Sequence, residues 1–165
     1  MSDLHTDVCS NASLSEHNLS KFKFRKAERL CSKKQIELLF EGGASKSMTA
    51  FPLRAVFRFI ARENVETSKD TTLETDEPLA FNTQTQLLIS VPKKCFKRAV
   101  KRNRVKRQVR EAFRRNRSLL NVVLAEHKGE QLLLAMIWLD DSLHSSETVE
   151  QRVCHLLKRI GEVKK

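Results

Sequence analysis

One 25-residue segment, Lys93 to Arg117, constrains this chain more than any other part of its sequence. The segment contains thirteen Lys and Arg residues and a single acidic residue, Glu111, so its net charge is +12. Of the chain's 31 basic and 20 acidic residues, 18 and 19 lie outside the segment, so the rest of the chain is almost neutral. Charge concentrated in this way is typical of an element that binds a polyanion, not of a uniformly basic surface.

The spacing of apolar residues in this segment predicts an amphipathic helix. At about 100° per residue, one stripe should be buried; it consists of Val105, Val109, Ala112 and Phe113. The far side carries Asn103, Arg107, Arg110 and Arg114, with Arg104 and Lys106 on the flanks. A solvated helix usually interleaves acidic residues for i,i+4 pairing, and this one has Glu111 alone. The pattern therefore predicts a nucleic-acid-binding surface.

The residue types alone leave both DNA and RNA open as the ligand. Arginine can fork to phosphate or to guanine, and lysine acts as a mobile point charge. A helix that reads the major groove usually belongs to an all-helical motif and carries fewer charges. A basic helix between two strands of a sheet favours recognition of folded RNA by shape and phosphate contacts.

Helix and strand patterns alternate along the rest of the chain. A capping-box pattern at Ser32 and Gln35 predicts a helix that ends at Gly42-Gly43. Strands are predicted at 44–48, 50–60, 86–91 and 131–139, with the third in a central position. A final helix follows Ser145-Ser146 and ends at Gly161. With the basic helix before the last strand, this order indicates an α+β sandwich with helices on a small mixed sheet. The large aromatic residues predicted mainly for the core are Phe51, Phe57, Phe59 and Trp138, whereas Phe40 fits a core or a cleft position equally well.

Two polar segments are predicted to lie outside the compact part of the chain. Residues 1–20 are rich in Ser, Asn and small polar groups, which predicts a disordered N-terminal tail. Residues 61–84 hold six acidic and two basic residues, which predicts a flexible, acidic insertion kept away from a polyanion. Residues 21–165 are then expected to form a single RNA-binding domain.

The composition also limits location and chemistry. No run of 18 apolar residues exists and the N-terminus has no apolar block, so neither a membrane span nor a signal peptide is predicted. Four scattered cysteines fit reduced thiols, and the expected location is cytoplasmic. The five histidines show no ligand spacing, and Asp140-Asp141 is expected to open a turn and cap the last helix. No catalytic residue and no protein metal site is predicted, which disfavours a protein-only nuclease.

Several short motifs together point to one family. Residues 90–94 (SVPKK), 99–107 (AVKRNRVKR) and 110–114 (REAFR) form a continuous basic signature. Residues 24–26 (FRK), 29–30 (RL) and 40–43 (FEGG) precede it. Over about residues 22–160, these motifs resemble the protein component of bacterial ribonuclease P.

The resemblance implies a fold and a function. The expected fold is a two-layer α-β sandwich in the order αβββαβα, with a left-handed crossover that carries the basic helix. The implied function is that of the ribonuclease P protein subunit, which binds the catalytic RNA and the 5′ leader of precursor tRNA and assists endonucleolytic removal of the leader. Mg²⁺ is expected to serve the RNA subunit, and no obligate protein partner is expected. The alternative is a non-catalytic module that binds structured RNA or the ribosome through the same helix.

The resemblance and the charge pattern together give the candidate site residues. RNA contacts are expected from Lys93, Lys94, Arg98, Lys101, Arg102, Asn103, Arg104, Lys106, Arg107, Arg110 and Arg114. The resemblance also implies a leader cleft between the first helix and the sheet, for which the candidates are Ile36, Phe40 and Arg54. Ile36 stands where an aromatic residue is usual in the family, and Arg54 stands where the family often has tyrosine. Since a stacked base is worth about 1–3 kcal/mol, losing two aromatic platforms should weaken base stacking, and Arg54 is expected to substitute by stacking its guanidinium or contacting phosphate.

Overall fold

The computed structural model describes residues 24–41, 43–61 and 84–163. The expected N-terminal tail and nearly all of the expected acidic insertion lie outside these ranges. The described elements are four helices and four strands, with short 3₁₀ turns at Lys26–Glu28 and Arg117–Leu120. The helices are α1 (Lys33–Phe40), α2 (Ala99–Asn116), α3 (Asn121–Glu126) and α4 (Ser146–Gly161). The strands are β1 (Lys46–Ala50), β2 (Leu53–Ala61), β3 (Thr85–Ser90) and β4 (Glu130–Trp138).

The strands form one mixed sheet in the order β1-β2-β4-β3. The β1–β2 and β2–β4 pairs are antiparallel, whereas β3 and β4 are parallel. A connection between parallel neighbours must cross over the sheet, and this one contains α2. The expected α+β class and the crossover with its basic helix are therefore confirmed, and the hand of the crossover stays a prediction.

Alternation along the strands buries residues on both faces of the sheet. On one face, residues such as Phe57 and Leu134 pack with the apolar stripes of α2 and α4 in the larger cluster of buried residues. On the other face, Val56 and Leu133 pack with Leu39 of α1 in a smaller cluster. Helix α1 contacts β2 and β4. The short α1 therefore covers part of this face, and Arg54 of β2 is exposed on the same face.

The prediction that 86–91 forms a central strand is wrong. β3 lies at the end of the strand order, next to β4 alone among the named strands. Its apolar run reflects burial from both sides, because Leu87 belongs to the larger cluster and Leu88 packs against the smaller one. The chain before α1 covers the outer edge of β3, where the Leu30 amide donates to the Leu87 carbonyl at 3.1 Å. β4 lies in the interior of the sheet, between β2 and β3, and Gln131 to Met136 are all buried.

The predicted core position of Phe51 is also wrong. β2 begins at Leu53, and Phe51 and Pro52 form the turn from β1, because proline has no amide to donate to a ladder. Phe51 is 58% exposed, whereas Phe57 and Trp138 are 1% exposed as predicted. Phe59 is half-buried and stacks on His127, with ring centroids 3.8 Å apart.

Helices α1 and α4 begin close to the predicted residues, but the predicted capping hydrogen bonds are not all present. Ser32 precedes α1 with extended backbone, but its side chain makes no capping hydrogen bond, and Gln35 is buried instead of reaching back. Ser145 caps α4, since its Oγ accepts from the Thr148 amide at 3.1 Å. The cap is thus Ser145 and not the Asp140-Asp141 pair. Helix α3 has no counterpart among the predicted elements.

Candidate nucleic-acid interface

Helix α2 has the two faces that its sequence predicts. Its buried residues are Val105, Val109, Ala112 and Phe113. Its exposed residues include Lys101, Asn103, Arg104 and Arg107, whereas Lys106, Arg110 and Arg114 are half-buried. The apolar stripe packs against α4 and β3, so the helix is held with its cationic side toward solvent.

Arg102 organises the loop that leads into α2. Its Nη1 donates to the carbonyl oxygens of Phe96 and Lys97, at 2.7 Å each. Phe96 is buried, and the Cys95 thiol approaches the Trp138 carbonyl at 3.8 Å, so the loop is fixed to the end of β4. Arg102 therefore makes structural contacts within the chain. The loop residues Lys93, Lys94 and Arg98 are exposed beside it.

Two arginines flank the Phe24 ring where the N-terminal segment crosses α2. The Arg29 and Arg110 guanidinium carbons lie 6.0 Å and 5.9 Å from the ring centroid, within the range of a cation–π contact. The Phe24 ring also meets Phe113 edge-on at 6.2 Å between centroids. The N-terminal segment thus brings a guanidinium group to the cationic side of α2.

The electrostatics around Arg29, Arg107 and Arg110 favour the binding of an anion. Burial lowers the pKa of Arg110, and the like charges of Arg29 and Arg107 lower it further. Arg110 Nε is buried without a hydrogen-bond partner among the described residues, and none of the three arginines forms an ion pair within that part of the chain. Three like charges without a counter-charge repel one another, so an anion bound between them would be stabilised.

The C-terminal half of α2 is partly neutralised by acidic residues. Glu111 accepts two hydrogen bonds from Arg114, at 2.8 Å and 2.6 Å, and one from Arg115 at 3.0 Å. These bonds hold the pKa of Glu111 at about 2. Arg115 also reaches Glu150 of α4 at 3.4 Å, and Arg117 pairs with Glu28. The charge available to a ligand is therefore concentrated in the part of α2 that precedes Glu111, in the loop before the helix, and at Arg29.

The predicted leader-cleft residues lie on α1 and on the face of the sheet that α1 partly covers. Phe40, at the end of α1, is 49% exposed, and Ile36 packs against the smaller cluster. Arg54 is exposed on β2, and among the described residues its one hydrogen-bond contact is a long one of 3.4 Å from its Nη2 to Ser47 Oγ. Arg58, further along the same strand, donates to the Leu38 carbonyl at 2.9 Å and ties α1 to the sheet.

Sequence reasoning missed Phe24, Arg29 and Arg58 as parts of these surfaces. Phe24 and Arg29 belong to motifs of the family resemblance, which is a signal that they matter but not where they lie. Their contacts with α2 depend on the bridge between Arg29 and Leu87 of β3, and local periodicity gives no sign of such a long-range pairing.

Other polar groups near the sheet form local pairs. His144 Nε2 lies 2.6 Å from Asp140 Oδ2, and His127 Nδ1 lies 2.5 Å from Glu130 Oε2. Within residues 24–41, 43–61 and 84–163, no three His, Cys, Asp or Glu side chains come together in a way that could hold a metal ion. None of the helices in the same ranges is long and apolar enough to cross a membrane.

Comparison with known proteins decides the family. A family model described as Ribonuclease P matches residues 24–160. The chain is 38% identical over 140 residues to the ribonuclease P protein component of Porphyromonas gingivalis strain W83, covering 85% of this chain and 88% of that protein. The chain belongs to the ribonuclease P protein family. The protein component of Chlorobaculum tepidum is 36% identical over 80 residues, or 46% of this chain and 52% of that protein.

Solved structures of ribonuclease P proteins share the fold. The protein from Thermotoga maritima superposes with a TM-score of 0.52 at 23% identity, covering 80% of this chain and 96% of that one. The protein from Staphylococcus aureus gives a TM-score of 0.54 at 18% identity, covering 82% and 96%. As a ribonuclease P protein, the chain is part of a ribonucleoprotein endoribonuclease that processes tRNA 5′ ends, and it associates with the ribonuclease P RNA.

Proposed function

We propose that this ribonuclease P protein binds the catalytic RNA through the loop before α2 and the exposed side of that helix. The observation that carries the proposal is the convergence of Arg29, Arg107 and Arg110 without an acidic partner among the described residues. An RNA phosphate would supply the missing negative charge, and guanidinium groups suit phosphate oxygens because they can bind two at once.

The site residues divide into two groups under this proposal. Direct phosphate or sugar contacts are assigned to Lys93, Lys94, Arg98, Lys101, Asn103, Arg104, Lys106, Arg107 and Arg110. Arg102 and Arg114 are assigned a positioning role, since one bonds carbonyls of the loop and the other bonds Glu111. Because the direct contacts address the RNA backbone, they should fix register and orientation on a folded RNA without reading its sequence.

The leader of precursor tRNA is assigned to the opposite face of the sheet, beside α1. Phe40 offers a half-exposed ring on which a base can stack, and Arg54 offers a guanidinium for phosphate contact or stacking. Ile36, being packed against the sheet, would support the surface from below. With one aromatic ring instead of several, this cleft should bind the leader mainly by charge.

The chemistry belongs to the RNA subunit under this proposal. Mg²⁺ held by the RNA would activate the water and stabilise the leaving oxygen during phosphodiester hydrolysis. The protein contributes cations that offset repulsion between the catalytic RNA and its RNA substrate, so it should lower the Mg²⁺ concentration that the reaction needs. The expected location, the cytoplasm, follows from the same assignment.

Reconstitution with the catalytic RNA of the same organism tests the proposed function. The purified protein alone should not cleave precursor tRNA, and adding it to the RNA should restore cleavage at a low Mg²⁺ concentration at which the RNA alone is slow. Cleavage by the protein without RNA would contradict the proposal. Tight RNA binding with no gain in cleavage would favour the alternative of a structured-RNA or ribosome-binding module.

A further inference from the structure

Helix α4 carries a second group of basic side chains on its outer surface. Arg152, His155 and Arg159 are spaced i, i+3 and i+7, so they lie within about 60° of one another around the helix. All three side chains are exposed. Neither Arg152 nor His155 has a hydrogen bond or ion pair with any residue in the described ranges. These three residues are called the α4 strip below.

The α4 strip faces away from α2. Glu150 lies on the flank of α4 that meets α2, where it contacts Arg115 and Asn116. Arg152 is two residues further along, which is about 160° around the helix from Glu150. Arg159 Nη1 approaches the Thr49 carbonyl of β1 at 3.5 Å, so the strip lies on the side of α4 toward that edge strand. The strip and the cationic side of α2 are therefore separate surfaces.

The charge on this side of α4 is mostly uncompensated. On a helical projection, Glu147 and Glu150 lie on other sides of α4, and Glu150 is engaged with Arg115. Glu162, just after α4, borders the strip one turn beyond Arg159 and forms no ion pair within the described residues. The strip thus presents hydrogen-bond donors with little competition from carboxylates.

We propose that the α4 strip is a second RNA-binding surface, which contacts the backbone of an RNA segment other than the one bound by α2. The inference rests on the proposed function, since it adds a contact to the same ribonucleoprotein. Two cationic surfaces on different sides of one small protein allow it to bridge two RNA segments and to reduce the repulsion between them.

The composition of the strip favours RNA over a protein or a membrane as its partner. Protein interfaces centre on buried apolar or aromatic anchors, and helices that lie on membranes insert an apolar face. The exposed large apolar residues of the described chain are Leu38, Phe40, Phe51, Val100, Val122, Leu139 and Leu143, and none is on α4. Arginine and histidine donors without an apolar anchor fit phosphate and sugar oxygens.

The first test measures how the association constant K of the full-length protein depends on salt concentration, in the assembled complex with catalytic RNA and precursor tRNA. The double variant Arg152→Gln/Arg159→Gln should reduce the magnitude of the slope of log K against log salt by about 0.7–0.9 for each phosphate that the protein no longer binds. The single variant Arg152→Gln, which leaves every hydrogen bond and ion pair of the described chain in place, should give about half of that change. Lys128→Gln, which removes one exposed charge from the turn before β4, is the matched control and should leave the slope unchanged.

The outcomes separate this inference from the proposed function. A reduced slope for Arg107→Ala with a wild-type slope for both α4 variants would overturn the inference and leave the α2 assignment intact. Wild-type slopes for Arg107→Ala and the α4 variants alike would remove support from both.

Cross-linking identifies the RNA segment. A photoreactive p-benzoylphenylalanine in place of His155 should cross-link to RNA on irradiation of the complex, and the same group in place of Lys128 should not. Mapping the cross-link distinguishes catalytic RNA from precursor tRNA, and either supports the proposal. A cross-link to the same nucleotides as a photoreactive group at Arg104, or no cross-link to RNA, would contradict a separate second surface.

Discussion

Arginine side chains in and around α2 differ in what their guanidinium groups contact. Arg102 donates to two loop carbonyls, and Arg114 forks to Glu111. Arg107 and Arg110 have neither kind of partner in the described part of the chain. A count of charge treats all four as equal, but only the last two have guanidinium groups with no carbonyl or carboxylate partner among the described residues.

Substitution should separate these roles at the level of single residues. Arg107→Ala should weaken binding to any RNA and reduce the magnitude of the salt slope by about 0.9, since the protein then neutralises one phosphate fewer. Arg114→Ala should mainly lower the free energy of unfolding, because it removes two of the three hydrogen bonds that Glu111 accepts from arginines. Fluorescence titration across a salt series measures the slope, and urea unfolding measures the stability. Equal slope changes in both variants would contradict the assignment of Arg107 to phosphate binding and of Arg114 to a structural role.

Helices α1 and α4 begin and end close to residues that the sequence marks, but the sequence does not show which capping bonds form. Ser32 and Ser145 occupy equivalent places before α1 and α4, and only Ser145 Oγ accepts a hydrogen bond from its helix. The two serines therefore provide a matched pair in which one substitution breaks a bond and the other does not.

Ser145→Ala should lower the free energy of unfolding by about 1 kcal/mol, the usual cost of removing an N-cap. Ser32→Ala should change it by much less, because its side chain makes no capping bond. Urea unfolding followed by circular dichroism measures both variants. A decrease at Ser32 as large as that at Ser145 would show that α1 is capped in solution.

The hydrogen bonds that Glu111 accepts from Arg114 and Arg115 within α2 should make stability depend on pH. The pKa of Glu111 falls from an ordinary 4.5 to about 2 on folding, so the unfolded chain binds more protons between these values. The stabilisation is therefore present above about pH 4.5 and is lost as the pH falls toward 2. Since the carboxylate is 45% exposed, the effect should be about 1 kcal/mol or less.

Glu111→Gln tests this dependence. The variant should be less stable than the wild type at neutral pH, and the difference should narrow as the pH falls from about 4.5 to about 2. Unfolding midpoints across this pH range give the comparison. A difference that stays constant with pH would mean that another group causes the destabilisation.

The sequence allows the basic helix and most strands to be predicted because each is encoded by local periodicity. The stripe from Val105 to Phe113 follows directly from helical spacing, and the predicted strands agree with the observed ones to within a few residues. The edge position of β3 and the approach of Arg29 to Arg110 depend on which segments become neighbours, and periodicity carries no such information. The Glu111–Arg114 pair, in contrast, has the i,i+3 spacing of helical ion pairs, so it is open to prediction from the sequence.

At the scale of the whole molecule, the ends of β2 and β3 that are joined by residues 62–83 lie at one end of the sheet, and the loop before α2 lies at the other. Ala61 at the end of β2 pairs with Glu130, and Thr85 at the start of β3 pairs with Leu132, so both flank the beginning of β4. The loop before α2 lies at the other end, next to Trp138. The nine residues of β4 separate these ends by about 26 Å, at about 3.3 Å per residue.

The acidic residues between β2 and β3 should act on RNA binding through long-range charge. Changing the six acids of residues 62–83 to their amides should speed association with RNA at low salt and have little effect at high salt, because screening shortens the range of the repulsion. Stopped-flow association rates at several salt concentrations test this. Acceleration that persists at high salt would indicate a direct contact instead.

The distance between the two ends of the sheet also suggests a site at which a label can be inserted. Ala61 at the end of β2 and Thr85 at the start of β3 lie at neighbouring positions in the sheet, far from the loop before α2. Foreign domains are best tolerated where both ends of the host chain are close together and away from the working surface. A fluorescent protein spliced between these residues would therefore give a tagged subunit for following assembly of the ribonucleoprotein in living cells.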